Sequence, residues 1–142
     1  MQIESTRFGS FEVEAARTLA FDEPLLGFPS SSTYVVVEVE DTSYVWLQSA
    51  DEPDVAFLAT SPFLFFPDYE LELADPVQAA LAVDDPSQVE VLALLTVHRV
   101  GDEATNLTAN LLGPIVANVE TRRARQLVLD KTDYSTREPL VA

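Results

Sequence analysis

Apolar residues in this chain fall in short runs separated by turn-forming residues, and in several runs they alternate with polar ones. A period of two is the mark of half-buried strands. Met1–Ser5 and Ser10–Glu14 flank Arg7–Gly9 and predict a hairpin. Leu26-Gly27-Phe28-Pro29 and Ser30–Ser32 predict a loop. Tyr34–Val39 is β-branched almost throughout and predicts a buried strand. Tyr44–Ser49 places Tyr44, Trp46 and Gln48 on one face and Val45 and Leu47 on the other. An acidic turn at Asp51–Asp54 leads into a strand at Val55–Thr60, and further strands are predicted at Val89–Val97, Thr108–Leu112, Ile115–Val119 and Ala124–Leu129. Gly113-Pro114 predicts a bulge, bend or edge, because proline has no N–H for a sheet ladder. Residues 130–142 are polar and are expected over the surface.

One segment breaks the strand rhythm. Asp75-Pro76-Val77-Gln78 predicts a helix start, with Asp75 as cap, Pro76 in the first helical position and Gln78 three residues after the cap. The helix is expected over about 75–82. Asp85-Pro86-Ser87-Gln88 repeats the signal, but β-rich sequence follows at once, so only a helical turn is expected there. About nine short strands and one short helix predict a mostly all-β single domain over residues 1–142, a barrel or a sandwich.

Charge changes this picture more than composition does. The 142 residues include 8 Lys or Arg and 24 Asp or Glu, a formal charge of −16. Such a chain is repelled by nucleic-acid phosphates and by anionic membrane surfaces, so neither is expected as a direct partner. Disorder is not expected either, because 47% of residues are apolar. The charge is uneven. Residues 1–120 hold 3 basic and 21 acidic residues, a sum of −18; residues 121–142 hold 5 and 3, a sum of +2. The five are Arg122, Arg123, Arg125, Lys131 and Arg137, which either pair with the acidic body or meet a separate partner. Cysteine is absent, so no thiol chemistry is available. No apolar run exceeds five residues, Val91–Leu95 among them, too short to span a bilayer, and MQIESTRFGSFEVE does not read as a secretory signal; the cytoplasm is the expected compartment.

Candidate chemistry is sparse. His98 is the sole histidine, at a strand end, where a hydrogen-bonded structural role outweighs proton transfer or ligation. No serine elbow, phosphate loop or dinucleotide fingerprint occurs. Acidic clusters (Asp22-Glu23, Glu38/Glu40/Asp41, Asp51/Glu52/Asp54, Asp84-Asp85, Asp102-Glu103) lack the spacing of a calcium loop and read first as solvated turns and strand edges. Aromatic residues concentrate in Ser61-Pro62-Phe63-Leu64-Phe65-Phe66-Pro67-Asp68-Tyr69-Glu70, too interrupted for a long strand. Some of these rings must fill the core, and the rest form a candidate docking surface.

An ordered series of motifs covers nearly the whole chain: Leu26-Gly27-Phe28, Leu47-Gln48-Ser49, Thr60-Ser61-Pro62-Phe63, Phe65-Phe66-Pro67-Asp68-Tyr69-Glu70, Leu95-Thr96-Val97, Thr108-Ala109-Asn110-Leu111, Pro114-Ile115, Ala124-Arg125-Gln126 and Tyr134-Ser135-Thr136-Arg137. This series resembles the bacterial flagellar assembly factor FliW family. Two positions depart from that pattern: Gly113 stands where the family often has alanine, and Glu138 precedes Pro139 where histidine is common.

The resemblance implies a small barrel-like fold and a binding protein rather than an enzyme, with no cofactor, metal or catalytic residue. It implies two partners in the cytoplasm, flagellin and the translational repressor CsrA, with a monomer when free. Flagellin secretion would release the protein to sequester CsrA and so relieve repression of flagellin translation. From the matched motifs, Ser61, Pro62, Phe65, Asp68, Tyr69, Asn110, Pro114 and Tyr134 are the expected partner-facing residues. Two other readings compete with this one: a general acidic export chaperone for apolar segments, and a small enzyme using paired carboxylates.

Overall fold

The computed structural model describes residues 1–101, 103–130 and 133–140. Among them eleven strands form: β1 (Gln2–Ser5), β2 (Gly9–Glu12), β3 (Thr18–Phe21), β4 (Thr33–Glu38), β5 (Tyr44–Ser49), β6 (Ala56–Thr60), β7 (Val89–Val100), β8 (Glu103–Ala109), β9 (Ile115–Asn118), β10 (Arg123–Gln126) and β11 (Glu138–Pro139). The β1–β2 hairpin pairs alone, and the other nine strands run in the order β11-β8-β7-β6-β5-β4-β3-β10-β9. A further pairing joins β9 to β7, through Val89↔Asn118 to Leu92↔Ile115. The strands from β7 through β6, β5, β4, β3 and β10 to β9 therefore close a ring, and β8 and β11 extend from it. All its pairings are antiparallel except β10 with β3, where Arg123 faces Ala20 and Ala124 faces Phe21. The barrel-like expectation holds.

Strand β7 carries the apolar run Val91–Leu95. Leu92 packs in one cluster with Leu19, Phe21, Tyr34, Leu47, Ile115 and Ala124. Val91 and Ala93, pointing the opposite way, pack in a second with Tyr69, Leu81, Leu111 and Val116. A strand buried on both faces reads as continuously apolar rather than alternating. The second cluster lies beneath helix α1 (Asp75–Ala80) and the segment before it, whose Leu71, Leu73 and Val77 pack against it.

Several local expectations need correction. Ala74, not Asp75, occupies the cap position of α1 and makes no side-chain cap bond. The Gln78 amide instead donates to the Leu73 carbonyl at 2.7 Å. The capping box forms one signal later, at Asp85–Gln88, where a single 3₁₀ turn stands as expected. The strand expected at Thr108–Leu112 lies earlier, over Glu103–Ala109. Residues 110–114 form a bend, because the Asn110 side chain ties the loop and Pro114 has no ladder donor. β3 was not expected at all, and β7 runs for 12 residues.

The β1–β2 hairpin covers the outer face of β5. Gln48 is fully buried there; its Oε1 accepts from the Ser5 hydroxyl at 2.8 Å, and its amide donates to the carbonyls of Ser49, Pro53 and Val55. The Arg7 guanidinium lies 4.1 Å from the Trp46 ring centre, with Phe8 edge-on to the same ring. A polar residue on the outward face of β5 thus becomes the anchor of a second layer.

Candidate partner-binding surface

After β6 the chain enters a 3₁₀ turn at Pro62–Leu64. Proline suits its first position, where the missing N–H would have no partner anyway. The Phe65 and Phe66 amides both donate to the Pro62 carbonyl, at 3.2 and 2.8 Å. The turn splits the aromatic run. Phe66 points into the second cluster, Phe65 is half-buried and stacks on Tyr44 at 6.2 Å, and Phe63 and Leu64 are thrown outward, 44% and 64% exposed.

A second segment, 110–114, meets the first. Asn110 Oδ1 accepts from the Gly113 amide at 2.8 Å and closes the loop. A β-carbon at Gly113 would stand 3.0 Å from Asn110 Nδ2 and 3.1 Å from Gln126 Nε2, so the absent side chain is what lets both amides close over this position. The Tyr69 hydroxyl donates to the Leu111 carbonyl at 2.7 Å, and the Leu111 amide donates to the Ser135 carbonyl at 2.9 Å. The Tyr134 hydroxyl accepts from the Glu70 amide at 2.8 Å, with the two tyrosine rings 4.6 Å apart. Burial, with neighbouring Tyr134 second, pushes the Tyr69 phenol up to about 12. Tyr69 therefore stays a donor across the physiological range.

The eight expected residues thus share one region, but with different exposures. Pro62, Tyr69 and Pro114 are buried, so their side chains hold the segments together. The polar groups of Asn110 and Tyr134 serve internal bonds, although both residues remain half-exposed. Ser61 and Phe65 are half-exposed, and Asp68 is exposed. Phe63 and Leu64, the most exposed apolar residues of this segment, are not among the eight; the proline-initiated turn was the available signal, since it directs them away from the core.

Two grooves flank the chain leading into α1, the first mainly apolar and the second mixed. One, of about 440 Å³, is walled by Phe63, Leu71, Leu73, Val83, Val89 and Val91. The other, of about 640 Å³, lies between Glu70–Ala74 and Leu127–Asp130, beside Tyr134.

The acidic clusters mostly tie loops. Asp51 Oδ2 accepts from the Ser32 and Thr33 amides, Glu52 bonds Ser31, and Asp54 bonds Thr6. Asp102 lies outside the described residues. Asp22 and Asp85 are both held below the ordinary carboxylate range, Asp22 by Arg125 and Asp85 by its bonds from Ser87. A general acid needs the opposite direction. His98 Nε2 lies 2.9 Å from Thr108 Oγ1, a cross-strand bond between β7 and β8.

The C-terminal basic residues mainly bind this chain itself. Arg125 forks onto Asp22 and also reaches Glu23 at 3.9 Å; Arg122 and Arg123 donate to the Thr18 and Ala80 carbonyls. Lys131 lies outside the described residues. Because the Asp22 pKa is lowered on folding, its contribution is present above the unfolded value near 3.9 and is lost as pH falls through the folded one. The Asp22 side chain is 47% exposed, so solvent screens the pair. We expect Asp22→Asn to cost about 0.5 kcal/mol at neutral pH, shrinking in high salt and vanishing in acid. Urea midpoints of the two proteins against pH provide the check.

Comparison with known proteins agrees with this architecture. The family model described as "FliW protein" matches residues 2–140. The chain belongs to the FliW family. It is 38% identical over 142 residues to the flagellar assembly factor FliW of Magnetococcus marinus, covering 99% of this chain and 85% of that one. It is 32% identical to the Treponema pallidum FliW, covering 100% and 93%. A crystal structure of the flagellar assembly factor FliW superimposes with a TM-score of 0.90 at 31% identity, covering 100% of this chain and 98% of that one. In this FliW-family chain the two departures have defined places. Gly113 sits beneath two side-chain amides, and Glu138 pairs with Ala109 in the short β11–β8 ladder.

Proposed function

We propose that this chain is a flagellar assembly factor that works by binding, not by catalysis. It holds flagellin in the cytoplasm and, once flagellin is exported, binds CsrA as a free monomer and so relieves repression of flagellin translation. The observation that carries this reading is the family match across residues 2–140, together with relatives named flagellar assembly factors over the same length.

The physical character of the surface supports it. A body of formal charge −18 attracts a protein that presents basic surface to RNA, and it disfavours RNA beside the complex without entering the RNA groove. Exposed Phe63 and Leu64, beside Ser61, Phe65 and Asp68, offer apolar cover to amphipathic flagellin termini. Asn110 and Tyr134 add half-exposed edges to that surface, while Pro62, Tyr69 and Pro114 shape it from beneath. The same exposed apolar residues support a second reading, a chaperone for apolar segments in general.

Titration calorimetry with cognate flagellin and cognate CsrA at low salt is the test. A soluble complex with each and mutual displacement are expected; absence of binding to both would overturn the proposal. A panel of unrelated unfolded peptides separates the two readings, since only the general chaperone binds them. Association with CsrA should also slow several-fold as ionic strength rises, measured by stopped-flow fluorescence. A salt-independent rate removes the steering role of the charge.

A further inference from the structure

The groove beside Tyr134 is bordered by two stretches of chain with unused backbone groups. Leu127 and Leu129 donate their amides to the Pro114 and Leu112 carbonyls, both at 2.8 Å. Successive residues of an extended chain present their amides to opposite edges. Val128 therefore presents its N–H and C=O away from those carbonyls; it lines the groove and is 67% exposed. Across the groove, the Glu70 amide is taken by Tyr134, but the amides of Leu71, Glu72 and Leu73 have no partner among the described residues. This stretch alternates, with Glu70 and Glu72 exposed and Leu71 and Leu73 half-buried.

We propose that this groove is a strand-addition site for an extended peptide segment that alternates apolar residues with Lys or Arg. The incoming backbone pairs with one phase of the alternating amides of Leu71–Leu73 on one side and with Val128 on the other. Its apolar side chains settle on a floor made by Leu71, Leu73, Val77, Leu127, Leu129 and the Tyr134 ring. Its basic side chains meet Glu70, Glu72 and Asp130, none of which is ion-paired or side-chain hydrogen-bonded to a described residue.

Charge selects this occupant over a second copy of the chain. Two copies pairing edge to edge would set these carboxylates against each other, and like charges placed opposite are destabilising. Acidic side chains along a free edge also guard it against self-pairing. The site goes beyond the functional reading above, because it specifies a peptide chemistry rather than a named protein.

The test is fluorescence anisotropy of a short labelled peptide alternating valine and lysine, titrated with the full chain at low salt. Saturable binding is expected. N-methylation of alternate amides, in either phase, should weaken it by at least about tenfold, since each phase serves one edge. The paired substitution Glu72→Lys with Asp130→Lys should weaken it similarly without moving the thermal midpoint, because both positions are exposed. Four outcomes would overturn the proposal: no saturable binding up to about 1 mM, equal binding by a valine–glutamate peptide, full affinity after N-methylation, or dimerisation of the chain through this groove. The peptide carries no flagellin or CsrA sequence, so its failure is distinct from failure of calorimetry with those proteins.

Discussion

Tyr69→Ala will lose about 3–5 kcal/mol of stability, the range for removing a buried aromatic ring. Tyr69 is 4% exposed and packs in the cluster with Leu81, Val91, Ala93 and Leu111. Its ring also touches Tyr134 and Phe63, at 4.6 and 5.8 Å between centres. Tyr69→Phe keeps the ring and removes only the bond to the Leu111 carbonyl, so it should cost about 1–1.5 kcal/mol. Equilibrium urea unfolding of both variants separates packing from hydrogen bonding. Equal losses would mean that the hydroxyl, not the ring, holds the 61–70 segment on the 110–114 loop. Since these segments carry most of the expected partner-facing residues, Tyr69→Ala should also weaken partner binding through misplacement, although Tyr69 itself is covered.

The second large effect is expected at Asn118, the last residue of β9. It is fully buried and uses its whole amide. Nδ2 donates to the Leu81 and Ala82 carbonyls at 2.9 and 3.0 Å, and Oδ1 accepts from the Glu120 and Thr121 amides at 2.8 and 3.2 Å. One side chain therefore joins the end of α1 to the turn between β9 and β10. Asn118→Leu keeps the branched shape, though it is larger, and has no polar atoms; the Glu120 and Thr121 amides and the Ala82 carbonyl lose their partner, while the Leu81 carbonyl keeps the Thr121 hydroxyl. At about 1–3 kcal/mol for each group that finds no water, the loss should exceed about 3 kcal/mol. Thermal unfolding followed by circular dichroism measures it. A loss under about 1 kcal/mol would show that water takes over these groups.

These two residues also show what a single sequence reveals. β4, β5 and β6 were legible for different reasons: β4 is β-branched almost throughout, β5 alternates, and β6 is a short apolar run after an acidic turn; the structure places all three within a residue of expectation. β3 was not legible, because Thr18–Phe21 is short and follows an alanine-rich stretch with no strand period. Asn118 resembled a polar strand end; only the arrival of Leu81, 37 positions earlier in the chain, makes it a junction. The candidate site was legible as a set of segments but not as a surface. The sequence places Phe63, Phe65, Phe66 and Tyr69 together, yet which rings face solvent is decided by the turn at Pro62 and by the tyrosine contact with Tyr134. The grooves were invisible, since each needs residues from distant segments side by side.

The ring closure between β10 and β3 sets an order on how this chain can form. Ala20 meets Arg123 and Phe21 meets Ala124, contacts spanning 103 residues. β9 must in addition reach back to the first half of β7 before the ring is shut. Until the segment from Ile115 to Gln126 has left the ribosome, β3 and the start of β7 have no neighbour on those edges. Long-range pairing of this kind is slow, because the loop must close before its contacts form. Without the last strands the sheet has two unpaired edges, and those strands act as its clasp. Substitutions in β9 and β10 should consequently leave their mark first on folding yield in the cell, ahead of any change in what the finished protein binds.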